Sequence, residues 1–199
     1  MTTIVFYKGH LYTDTLGTTF NEEDEHIKTR FYFKIKKYLF LREKVCLAWS
    51  GHYHLGRIIS SSFKYRLPLW LFPRLLLSDL DAITQTTMML INLKNNKLKI
   101  VTVSPSKICK VTRKLNLFRI SYKYKTYKIS DGSYYAIGSG TDYVGEWHDQ
   151  RAAAKDEVPN FWVSDAIKYA ASKDIATNDD VQIIDVARGV KLQIEDKNS

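Results

Sequence analysis

A threonine stands directly after the first methionine, in Met1-Thr2-Thr3-Ile4-Val5. If that methionine is trimmed, Thr2 carries an unblocked α-amine and a hydroxyl on one residue. The hydroxyl is then a nucleophile with its own base. An α-amine titrates near pH ~8, so a neutral fraction exists at cellular pH to take the hydroxyl proton. Attack on a peptide or amide carbonyl would form an acyl-enzyme that water releases. Far downstream, Tyr135-Ala136-Ile137-Gly138-Ser139-Gly140-Thr141 sets a serine between two glycines. Taken singly, each feature has an ordinary reading: a small second residue, and a tight turn.

The elements that must position these residues follow from hydrophobic pattern and turn chemistry. Residues 3–7 alternate β-branched and aromatic side chains and predict a strand, with Gly9 as a turn and 11–15 as its hairpin partner. Residues 21–25 predict an acidic loop, and 31–37 and 45–49 predict two further strands. Ser50-Gly51-His52 breaks the pattern before a helix over 53–62, and a second helical stretch is predicted over 69–84, interrupted near Pro73. A hairpin is predicted from 87–93 and 98–103, and a strand from Arg119 onward. Residues 134–137 predict the strand ahead of the Gly-Ser-Gly turn. Residues 141–155 and 161–173 predict helices, with Trp162, Ala166, Tyr169 and Ala170 on one face of the second. Strands over 181–186 and 190–194 close the order, which predicts sheets covered by helices in one α+β domain spanning 1–199.

Composition narrows the class. The chain has 199 residues, 45% of them hydrophobic and 26% charged, which suits one globular domain with a sizeable core. The longest apolar stretch, Leu67–Pro73, is too short to span a bilayer and holds two prolines. No secretory leader is expected at the start. Cys46 and Cys109 lack metal-ligand spacing and are expected to be reduced core residues, which predicts a cytoplasmic protein, and the threonine-nucleophile chemistry implies neither metal nor organic cofactor. The net charge of +9 is uneven: residues 1–130 carry +15 and residues 131–199 carry −6. Eight of the cations fall within 107–129. Such asymmetry suits contact with nucleic acid, or a basic face meeting an acidic one in an oligomer.

With these residues in view, the chain resembles the proteasome β-subunit and the HslV-type threonine peptidases, in particular the short HslV-like proteins of tailed phages. Four places carry the resemblance, in matching order: the Thr2-Thr3-Ile4-Val5 opening, Thr13-Asp14, Lys34 within Phe33-Lys34-Ile35-Lys36-Lys37, and Ala136-Ile137-Gly138-Ser139-Gly140. It implies a four-layer αββα sandwich of two antiparallel sheets flanked by helices, the N-terminal nucleophile hydrolase fold. It also implies roles. Thr2 would be the nucleophile. Lys34 would lower the pKa of the Thr2 amine by like-charge repulsion, and Asp14 would hold Lys34 in place. Ser139 would bond the amine or its relay water, and the backbone N–H of Gly51 would stabilise the oxyanion. Asp174 and Thr177 would support the amine from behind, while Thr3, Ala48 and Trp49 would border the substrate pocket. A peptide or protein substrate and self-assembly into a homo-oligomer are implied as well. The separation of Lys34 from Gly51 is somewhat longer than the family pattern.

Two other readings stay open. A catalytically inactive descendant of the fold would act as an interaction or inhibitor module for a host protein, and a retained Met1 and the bulky Trp49 both suit it. A nucleic-acid contact through Arg119–Lys128 would use lysines interleaved with Tyr122, Tyr124 and Tyr127. The plainer account of that segment is an edge strand guarded by charge.

Overall fold

A computed structural model describes residues 2–21, 29–34, 36–51, 53–65, 74–78, 85–112, 115–153 and 162–192. The described chain forms two antiparallel sheets and three helices, in two compact units. The first unit takes residues 1–37 and 130–199; the second takes 38–129.

In the first unit, β1 (Thr3–Tyr7) and β2 (His10–Asp14) form the hairpin that Gly9 predicts, with Gly9 at φ 81°. They pair with β11 (Tyr134–Gly138), β12 (Val181–Asp185) and β13 (Val190–Leu192) in the order β11-β1-β2-β12-β13. A separate hairpin joins β3 (Leu16–Asn21) to β4 (Thr29–Lys34). The expected acidic loop falls largely on residues outside the described set.

Two helices pack with the five-stranded sheet. They are α2 (Thr141–Ala153) and α3 (Trp162–Lys173), and α3 lies against β1, β2 and β12. The stripe Trp162, Val163, Ala166, Ile167 and Ala170 has helical spacing and is buried against Val5, Tyr12 and Ile183. Ile4, Val5 and Phe6 are all fully buried, so β1 is covered on both faces. Filling a strand with such residues favours burial by roughly 1.5–3 kcal/mol per large side chain.

The second unit is a six-stranded sheet of order β5-β6-β8-β9-β10-β7. Its members are β5 (Tyr38–Arg42), β6 (Val45–Ser50), β7 (Arg74–Ser78), β8 (Thr86–Asn92), β9 (Lys97–Thr112) and β10 (Leu115–Lys128). Helix α1 (Tyr53–Lys64) packs on β5, β6 and β8, and Leu55 and Ile59 join Leu47, Trp49, Met88, Val101 and Val103 in one core.

Three expectations need correction here. Residues 74–78, placed in a helix by their leucines, form strand β7 and pair with β10. A short apolar run has no decisive periodicity, and the ladder settles it; residues 66–73 and 79–84 of that prediction lie outside the described set. The strand predicted over 31–37 ends at Lys34, and Lys37 leaves the ladder. Cys46 is buried, but Cys109 on β9 is exposed. No helix among the described residues is long and apolar enough to cross a membrane, and no cluster of His, Cys, Asp and Glu among them has the makings of a metal site.

Candidate active site

Strand register brings the first unit's polar residues to Thr2. β1 pairs with β2 as Ile4↔Thr13 and with β11 as Thr3↔Gly138. Continuing both ladders by one residue sets Asp14 opposite Thr3 and Ser139 opposite Thr2. The hydrogen bonds agree: the Ser139 N–H donates to the Thr2 carbonyl at 3.0 Å, and the Thr3 N–H donates to Asp14 Oδ1 at 3.0 Å. Thr2 itself is 2% exposed.

The Thr2 hydroxyl sits between a cation and an anion. It donates to Asp14 Oδ1 and accepts from Lys37 Nζ. Lys37 Nζ also donates to Asp14 Oδ1 at 3.0 Å, in an ion pair whose side chains are 3% and 0% exposed. Asp14 Oδ1 therefore collects three donors, while Asp14 Oδ2 is buried without a partner among the described residues. Burial pushes the Lys37 ammonium down to about 8, against the pull of the Asp14 charge and hydrogen bond, which favour its charged form.

This lysine is not the one the sequence pattern selects. Lys34, named as the partner of Asp14, closes β4 with its backbone opposite Leu16; its side chain lies outside the described set. Lys37 occupies the place beside Asp14. Alternation along a strand could not sort Lys34, Lys36 and Lys37, because the strand stops between them. Lys37 stands three positions nearer to Gly51 in the sequence than Lys34 does.

A second network stands behind Thr2 and Thr3. Asp174 follows the end of α3, its N–H bonded to the Ala170 carbonyl at 2.7 Å. Its Oδ2 accepts from the Ser139 hydroxyl and, at 2.9 Å, from Thr177, and its Oδ1 accepts from the Ala176 N–H at 3.0 Å. Burial would raise the Asp174 pKa, but these donors outweigh it and hold the carboxyl below its ordinary value. Thr177 passes the chain of bonds to Thr3, their hydroxyls 2.8 Å apart. Gly140 is part of the same packing. A Cβ there would collide with the Thr3 hydroxyl and stand 3.2 Å from Thr177 Oγ1 and 3.1 Å from the Ala170 Cβ. Sequence reasoning passed over Gly140 as half of a turn. Its signal is the glycine at the mouth of α2, where Thr3 and α3 converge.

The remaining expected residues belong to the second unit. Gly51 ends β6 with φ 105°, and a Cβ on it would overlap the Gln85 carbonyl and lie 2.9 Å from Thr86 Cα, so both conformation and space require glycine. Ala48 is fully buried on β6. Trp49, expected at a pocket wall, is 6% exposed and packs its indole against Gly56 of α1. The first unit thus brings together Thr2, Thr3, Asp14, Ser139, Asp174 and Thr177, and adds Lys37.

No family model matches the chain, and no curated protein does. Solved structures similar to it include two at low identity. One is eukaryotic HslV from Trypanosoma brucei, at 11% identity over 92% of this chain and 96% of that one, with a TM-score of 0.48. The other is Thiobacillus denitrificans BPH in complex with epoxomicin, at 14% identity over 98% of each chain, also with a TM-score of 0.48.

Proposed function

We propose that the chain is a threonine-type N-terminal nucleophile hydrolase acting on peptide or amide bonds. One observation carries the reading: the Thr2 hydroxyl is held between the Lys37 ammonium and the Asp14 carboxylate in a buried site. A threonine with only a structural role has no need of a desolvated ion pair, which is costly to bury.

Removal of Met1 unblocks the Thr2 amine. Thr2 Oγ attacks the substrate carbonyl while its proton passes to that amine. Lys37, charged, stabilises the negative charge growing on Oγ and lowers the pKa of the amine beside it. Asp14 keeps Lys37 charged and in place. The departing amine takes the proton as the tetrahedral intermediate collapses, and water then releases the acyl group from Thr2. Ser139, Asp174 and Thr177 are assigned to positioning Thr2 and Thr3. The substrate is a peptide or protein, the working form a homo-oligomer, and the compartment the cytoplasm.

A second reading, an inactive module that binds a host protein, draws on the near-complete burial of Thr2, which leaves its hydroxyl little access. Intact mass separates the two. A chain lighter by one methionine, modified on Thr2 by epoxomicin and unmodified as Thr2→Ala, supports the hydrolase. A full-length mass with no label on Thr2 refutes it and moves the assignment to the binding module.

A further inference from the structure

The strand that carries Asp14 is fastened one residue beyond its ladder. β2 pairs with β12 from His10↔Asp185 to Asp14↔Val181. One step further, Thr15 stands opposite Asp180, and side chains take over from the backbone. The Thr15 N–H donates to Asn178 Oδ1 at 3.1 Å. The Thr15 hydroxyl accepts from Asn178 Nδ2 at 3.1 Å and donates to Asp180 Oδ2 at 2.9 Å. These roles are forced. A backbone N–H can only donate, which turns Oδ1 of the amide toward it and Nδ2 toward the hydroxyl. The single hydroxyl proton is then left for Asp180.

Two features set this clamp apart from an ordinary loop staple. Five residue pairs already join β2 to β12, so the sheet has little need of another tie. Thr15 is nevertheless fully buried, where valine would fill a strand position without a hydroxyl to satisfy. The clamp also lies between the two networks at Thr2. Thr15 follows Asp14, which holds the Thr2 hydroxyl and Lys37. Asn178 follows Thr177, whose hydroxyl bonds Asp174 and Thr3.

Asp14 needs such a tie because it works through one oxygen. Oδ1 takes the Thr2 hydroxyl, the Thr3 N–H and Lys37 Nζ, whereas Oδ2 is buried without a partner among the described residues. No bond to Oδ2 stops the carboxylate from turning, so its aim depends on where the Asp14 backbone is held. The Thr13 hydroxyl donates to the Asp14 carbonyl at 2.8 Å, and the clamp fixes the N–H that follows. We propose that Asn178, with Thr15 and Asp180, is a positioning residue for the Thr2 site. It ties the strand end bearing Asp14 to the loop bearing Thr177 and keeps the Asp14 carboxylate on Thr2 and Lys37. Its effect on turnover rests on the hydrolase reading; its effect on the Lys37–Asp14 pair does not.

The test uses the full chain with Asn178→Ala, Thr15→Val and Thr15→Ser. Lys37 is followed by NMR of carbon-labelled lysine Cε, its signal identified by its loss in Lys37→Met. The parent should titrate near about 8. In Asn178→Ala and Thr15→Val the pull of Asp14 on the ammonium weakens while burial stays, so Lys37 should titrate about 1 pH unit lower. Thr15→Ser keeps every bond of the clamp and should restore the parental titration. Where epoxomicin labels Thr2 of the parent, the first two variants should label roughly tenfold or more slowly, against the about 10²-fold that a misplacement of about 1 Å can cost. A Lys37 titration unmoved in both overturns the proposal, as does an unchanged labelling rate in a labelled parent, or a Thr15→Ser variant as affected as Thr15→Val. If Thr15→Val does not melt cooperatively, Asn178→Ala, at a half-buried position, decides alone. Loss of the fold in both overturns the proposal and leaves the clamp a structural staple. A parent that is never labelled, with a Lys37 titration that still moves in the variants, refutes the hydrolase reading and keeps this one.

Discussion

Replacing Lys37 by Met removes the cation while keeping much of the side-chain volume, and its cost follows from burial. At 3.0 Å, with side chains 3% and 0% exposed, the Lys37–Asp14 pair lies far from the surface regime, where ion pairs contribute about 0–1 kcal/mol. At an effective dielectric constant of about 20, Coulomb attraction at that separation is about 5 kcal/mol. Asp14 would keep the Thr3 N–H and the Thr2 hydroxyl but lose its only charged donor among the described residues. Breaking a buried pair from one side typically costs about 3–5 kcal/mol. That is a large share of the roughly 10–30 kcal/mol that a chain of this size has at about 0.05–0.15 kcal/mol per residue. Urea unfolding followed by tryptophan fluorescence measures it. Lys37→Met/Asp14→Asn should recover most of the loss, because no buried charge is then left uncompensated. On the proposed mechanism Lys37→Met also lowers peptidase turnover about 10²–10³-fold, the scale for losing one preorganised electrostatic group. A stability loss from Lys34→Met as large as that from Lys37→Met would refute the placement of Lys37 as the partner of Asp14.

Activity should follow a bell in pH. It rises as the Thr2 amine loses its proton and falls as Lys37 loses its own near about 8; a rate that only climbs through that range would instead make Lys37 the base. Gly140→Ala should destabilise by about 1–3 kcal/mol through overpacking and reduce labelling of Thr2, since the new methyl displaces the Thr3 hydroxyl. A neutral result by thermal melting and labelling would sink the close approach at Gly140. Asp174→Ala should cost about 1–2 kcal/mol at pH 7, discounted because Asp174 is only partly buried. The depressed folded pKa means this stability is present above the unfolded value of about 3.9 and is lost as pH falls through the folded one. The deficit of the variant against the parent should therefore shrink in acid; a deficit constant down to pH 2 would exclude the ionised carboxylate as its source.

Much of the fold is legible in the sequence wherever local pattern and tertiary need agree. Residues 3–7 and 11–14 alternate as strands because β1 and β2 are strands, and the apolar stripe of α3 predicts its packing face. The failures fall where local pattern is silent. Leu75, Leu76 and Leu77 suit a helix or a strand equally, and pairing with Phe118, Leu117 and Asn116 of β10, far along the chain, decides. The hairpin predicted to end at Val103 runs on to Thr112, because β10 extends the ladder past the point where the apolar alternation of β9 fades.

The site divides along the same line. Asp14 and Ser139 enter through the resemblance, and strand register accounts for both: Asp14 lies one residue past the β1–β2 hairpin, which local pattern predicts, while Ser139 lies one residue past the long-range ladder of β1 with β11, which local pattern does not. Lys37 is not readable in that way. It sits just beyond the end of β4, where period-two alternation no longer says which lysine turns inward. What selects it is the Asp14 carboxylate, buried with only neutral donors unless a cation reaches it. The choice among three neighbouring lysines is therefore made by a charge on another strand, which is why double replacement of Lys37 and Asp14 tests the site more sharply than either change alone.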